Sequence, residues 1–125
     1  MQNRYMSTAT EKFNKKYNEV VKTIEKYFTD LKAGEKMLIS SPRSIANYVA
    51  KIPYGTEKSV KLMRRELAEN ANADNTCPLT CGIFLRIAIE ASLEQSNGAK
   101  PDLPFWRVID RNSSLIKKYQ FQRNT

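Results

Sequence analysis

Thr76-Cys77-Pro78-Leu79-Thr80-Cys81-Gly82-Ile83-Phe84-Leu85-Arg86-Ile87-Ala88-Ile89-Glu90-Ala91-Ser92-Leu93 is the stretch whose reading decides the fold. Thr76 can accept a hydrogen bond as an N-cap, and Pro78 suits a first helical turn, where its missing N–H is not needed. The helix so announced runs through Leu79, Ile83, Phe84, Ile87 and Leu93 to a stop near Asn97 and Gly98. It is apolar almost all round, so its middle must be buried on most sides. Its N-terminal turn is then the part best able to meet a ligand.

Upstream, Ser41 as N-cap and Pro42 at the first position predict a helix with Ile45, Ala46, Val49 and Ile52 on one side, stopping before Pro53. Pro53-Tyr54-Gly55 is a turn signal, Thr56 can cap a third helix with Val60, Met63 and Leu67, and Asn70 to Asn75 break the pattern. Two helices joined by a short polar segment are compatible with a helix-turn-helix. Further out, Phe13, Tyr17, Val20, Val21, Ile24, Phe28 and Leu31 recur at spacings of three and four, which predicts one long amphipathic helix ended by Gly34. Downstream, Phe105-Trp106-Arg107-Val108-Ile109 reads as a short strand and Asp110-Arg111-Asn112-Ser113 as a turn before Leu115 and Ile116, together a hairpin or wing. The expectation is a mainly α chain: a helical extension over residues 1-36 and a winged helix-turn-helix-like domain over residues 37-125.

With 125 residues, 41% of them hydrophobic, the chain has the size of one domain and the apolar surface for a core. No apolar run approaches the roughly 20 residues that span a bilayer, and Met1 to Tyr17 lack the apolar stretch of a signal peptide, so the expected location is the cytoplasm, with no membrane partner. Cys77 and Cys81 are accompanied by no second cysteine pair and no histidine, which suggests neither a zinc site nor a disulfide framework, and no cofactor is expected. The net charge of +8 is consistent with an anionic partner. Residues 1 to 52 carry ten Lys/Arg against five Asp/Glu, residues 53 to 98 five against six, and residues 99 to 125 six against two. If nucleic acid is the partner, the ends supply the phosphate attraction and the middle reads shape or bases. The plain alternative is a solvated basic surface.

The order "Ile52-Pro53-Tyr54-Gly55, a helix, a second helix beginning near Cys77 and containing Gly82, then Pro104-Phe105-Trp106-Arg107-Val108-Ile109 and a turn" resembles the C-terminal domain of the DNA alkyltransferases and of their alkyltransferase-like relatives. The likeness spans about residues 37 to 116. In that family an Ile-Pro-x-Gly entry precedes a winged helix-turn-helix, and a Pro-Cys-His-Arg-Val motif holds the cysteine that takes an alkyl group from a flipped guanine. Pro104, Arg107 and Val108 match the motif, whereas Phe105 stands at the nucleophile position and Trp106 at the histidine position. A phenyl ring can neither attack a carbon nor be alkylated under these conditions, so the resemblance implies a protein that is not an enzyme. Alkyltransferase-like proteins likewise lose the cysteine and bind alkylated guanine without repairing it. The family's intercalating arginine falls at Leu79, and its phosphate-rotating tyrosine near Val60.

The resemblance therefore implies a non-enzymatic protein of duplex DNA, with recognition of an alkylated or flipped base as the sharper form of that expectation. Thr76, Leu79, Arg86, Arg64 and Arg65 are the expected nucleic-acid contacts, and Tyr54, Pro104, Phe105, Trp106 and Arg107 the expected base pocket. Phe105 and Trp106 have a second reading as core aromatics under the wing. Arg64, Arg65 and Arg86 have one as partners of Glu66, Glu69 and Glu90 at helical spacing. Neither Cys77 nor Cys81 has a histidine to activate it as a substitute nucleophile. The alternative function is a protein interaction module that kept the fold and lost DNA, pairing with another chain or a second copy through the N-terminal helix.

Overall fold

In the computed structural model, which describes residues 8–97 and 99–109, the apolar segment forms the central helix α4, Pro78–Ser96. Its cap is Cys77 rather than Thr76, and Asn97, in the left-handed conformation, ends it as expected. Helix α1, Ala9–Asn14, and helix α2, Pro42–Ala50, both lie against α4, and helix α3, Val60–Asn70, completes the helical layer. Ser41 caps α2 with Pro42 in its first turn. Ser59, not Thr56, caps α3: its side chain accepts the Leu62 N–H, so the turn after Gly55 runs one helical turn longer than its sequence suggests.

A three-stranded sheet, absent from the sequence-based expectation, joins the helices. It orders β1, Val20–Thr23, against β2, Lys36–Ile39, and β2 against β3, Asn75–Thr76. β1 pairs antiparallel with β2, Val20 opposite Ile39, and β3 lies parallel to β2. The long helix expected from Phe13 to Leu31 is therefore replaced by a six-residue helix, a strand and a turn. The mainly α reading is corrected to a small α/β arrangement. The physical reason is that Val20-Val21 satisfy a strand as well as a helix, their β-branched side chains favour the strand, and β2 offers a register for them to pair with.

The core is one cluster of Leu38, Ile45, Val49, Ile52, Met63, Leu67, Cys81, Leu85, Ile89, Phe105 and Val108, in which Ile45, Val49, Met63, Cys81 and Ile89 are wholly buried. Each such aliphatic side chain contributes about 1.5–3 kcal/mol by leaving water. A smaller cluster, Leu31, Met37 and Cys77, lies under the turn between β1 and β2. Helix α1 is held at its N-terminus by a side chain from far along the chain, because Glu94 accepts hydrogen bonds from the Ala9 and Thr10 N–H groups at 3.0 and 2.9 Å. Where a strand was expected at 105–109, Phe105–Arg107 form a 3-10 turn, with the Val108 N–H bonded to the Phe105 carbonyl. Asp110 to Ile116, the expected turn and second arm of the wing, lie outside the described residues.

Candidate nucleic-acid interface

Helix α4 begins on a proline after a cap whose side chain bonds nothing, so its first turn is shaped by backbone alone. Leu79 there is 63% exposed and Ile83, one turn on, 48%. Gly82 lies between them with open space where a Cβ would stand. Spacings of three and four place the three on one helix face, an apolar ridge with a gap in its middle. Arg86 continues that face and pairs with Glu90 at 3.2 Å, an i,i+4 contact of the exposed and weak kind. Arg65 is exposed on α3.

The other two expected contacts turn inward. The Arg64 Nη1 and Nη2 groups both reach Asp30 at 2.8 Å, and its Nε donates to the Thr76 carbonyl at 3.0 Å. The Thr76 hydroxyl, fully buried, donates to the Arg64 carbonyl at 2.6 Å. Thr76 and Arg64 therefore rivet α3 to β3 and offer no group to a ligand. A planar, always charged guanidinium suits this forked recognition of a carboxylate. Its hydrogen bonds first, and its charge second, hold the Asp30 carboxyl well below the usual aspartate range, and the same hydrogen bonds raise Arg64 further. Asp30, 34 residues upstream of Arg64, is the partner that local spacing could not reveal.

The expected base-pocket residues gather at the other end of α3. The Arg107 Nη1 donates to the Ile52 carbonyl at 2.7 Å, its guanidinium lies 5.7 Å from the Tyr54 ring centroid, and its carbonyl accepts the Lys58 N–H at 2.8 Å. The 3-10 turn and the Pro53-Tyr54-Gly55 turn are thereby tied together. Tyr54 projects almost fully into solvent. Pro104 and Phe105 are buried, and Phe105 belongs to the core, so the core reading holds for that ring and it offers no face for stacking. Trp106 is half-buried, edge-on to Phe105 at 5.5 Å, with the Lys100 ammonium 5.2 Å from its ring. It borders two clefts. One, of about 420 Å³, is lined by Glu57, Lys58, Ser59, Val60 and Trp106 to Ile109. The other, of about 430 Å³, is lined by Ala50, Lys100 to Asp102, Pro104, Trp106 and Arg107. Beside them, Tyr48 and Lys58 both donate to Glu66 Oε1, at 2.6 and 3.0 Å, which lowers the Glu66 carboxyl. Burial first, and Glu66 second, push the Tyr48 phenol up.

Both cysteines are buried and free. Burial pushes the Cys81 thiol up to about 11, so it is a protonated apolar side chain at neutral pH. Among the described residues no cluster of His, Cys, Asp and Glu could hold a metal ion, and no helix is long and apolar enough to cross a membrane. No protein-family model, curated protein or solved structure matches the chain.

Proposed function

We propose that this chain is a non-enzymatic DNA-binding protein of winged helix-turn-helix type, similar to the alkyltransferase-like proteins, which holds an alkylated or flipped base without repairing it. The observation that carries the reading is the bare apolar ridge of Leu79, Gly82 and Ile83 at the start of α4, on a helix whose opposite face is in the core. An apolar wedge entering a base step unstacks it, and the net charge of +8 supplies attraction to phosphates. Trp106 and its clefts give the extruded base a half-open ring to lie against. With Phe105 in the core, Trp106 is the stacking residue of the pair.

The test is a titration of labelled duplexes, one plain and one carrying a single alkylated guanine, at two salt concentrations. Tighter binding of the alkylated duplex, lost in Trp106→Ala, supports the full reading. Equal, salt-sensitive binding of both supports a general DNA binder. Binding to neither, with a salt-insensitive dimer in solution, favours the protein interaction module, for which the exposed Leu79 and Ile83 would be the contact face.

A further inference from the structure

The turn between β1 and β2 ends in a tight hairpin: Phe28 and Leu31 exchange backbone hydrogen bonds at 2.9 Å around Thr29 and Asp30. Residues opposed in this way send their side chains to the same side, so Phe28 shares the side of buried Leu31, and Tyr27 takes the other. Tyr27 is 71% exposed. Beside it stand Lys26, its neighbour in sequence, and Lys32, opposite it across the hairpin, both exposed and without an ion-pair partner among the described residues. Of the nearby acids, Asp30 is neutralised by Arg64 and Glu35 is turned onto the Lys32 N–H, which leaves Glu25. The hairpin is also fixed in place. Asp30 grips Arg64, which holds the Thr76 carbonyl, and Leu31 packs with Cys77, the cap of α4. The tip thus stands beside the helix start that carries Leu79.

We infer that this tip is a stacking platform for an unpaired nucleotide, with the Tyr27 ring against the base and Lys26 and Lys32 on the flanking phosphates. The inference rests on the DNA-binding reading and extends it to a second contact. An exposed aromatic ring among lysines matches a nucleobase next to phosphates, since every base has a face to stack and every linkage a charge to neutralise. An anionic membrane is the less suited partner, because its interior rewards a broader apolar surface than Tyr27 and the partly exposed Phe28 offer.

The experiment compares the wild type, Tyr27→Ala, Tyr27→Phe and Leu79→Glu on a plain duplex, a duplex with a three-nucleotide gap, and phosphatidylserine vesicles. The expected result is that Tyr27→Ala weakens gapped-duplex binding about tenfold, leaves plain-duplex binding unchanged, and that Tyr27→Phe restores the gapped affinity. Wild-type gapped-duplex binding that Leu79→Glu abolishes and Tyr27→Ala leaves intact overturns the inference and spares the DNA-binding reading. Absence of all nucleic-acid binding overturns both. Vesicle binding lost in Tyr27→Ala, without gapped-duplex binding, assigns the tip to a membrane surface instead.

Discussion

Both halves of α4 carry apolar side chains, yet the surroundings of those side chains differ. Leu85, Ala88, Ile89 and Ala91 are almost wholly buried among α1, α2 and the 3-10 turn, whereas Leu79 and Ile83 stand in solvent. Burial of the second half is what the hydrophobic effect alone demands. Exposure of Leu79 and Ile83, on either side of the wholly buried Cys81, runs against it, and their surface is not covered by the elements that end nearby, β3 and the hairpin. The difference teaches that packing and exposure can be divided along one helix: its later turns hold the molecule together, and Leu79 and Ile83 stay outside the core.

Ile89→Ala should break the buried half most severely. It removes a fully buried side chain from the main cluster, so urea denaturation should show a loss of about 2–5 kcal/mol. Leu79→Ala, chemically similar but at the exposed end, should change stability by no more than about 0.5 kcal/mol. Near-equal losses would show that the proximal turn is also part of the core.

Arg64→Ala should rank next, at about 1–3 kcal/mol, because it leaves the Thr76 carbonyl without its partner beneath the start of α4. The pH dependence of that rivet has a definite sign. Asp30 is lowered from its ordinary 3.8, so the pair's stabilisation is complete above that value and is lost as acid titrates the folded carboxyl below it. The stability difference between wild type and Asp30→Asn, followed by thermal melts, should therefore be present at neutral pH and shrink as the pH falls below 3.8.

Leu79→Glu sharpens the other side of the comparison. It should leave the melting curve almost unmoved and reduce duplex affinity at least tenfold, since a carboxylate meets both a base step and the phosphates' charge. The smallest expected effect concerns Cys81. With its thiol pushed up to about 11, iodoacetamide at neutral pH should label it slowly in the native protein and readily once urea exposes it.

Much of this architecture can be read from local signals. Ser41-Pro42 and the apolar run after Pro78 carry caps, a proline and a period within a few residues of each other, and α2 and α4 form where those signals stand. The failures are non-local. Val20 and Val21 fit either period, and only β2, 15 or more residues later, selects the strand. Thr76 and Arg64 read as surface contacts because Asp30, which turns them inward, is remote in sequence. At the aromatic end, Tyr54 and Arg107 stood out in sequence as pocket residues, and the structure does bring them together through the Arg107 bond to Ile52. Tyr27, by contrast, looked like one more position on a helix, and its prominence emerges only once that helix is a hairpin.

The carboxylate of Glu94 at the head of α1 bears on the order in which the chain assembles. A six-residue helix is too short to persist alone in water even with its Thr8–Glu11 capping box, and the carboxylate that meets its Ala9 and Thr10 N–H groups comes from 85 and 84 residues away. Helix α1 is therefore expected to form with the far end of α4 in place and to be among the first elements lost when the protein opens locally. Deuterium should enter the Ala9 and Thr10 amides ahead of those in the middle of α4, and sooner still when Glu94 is replaced by glutamine.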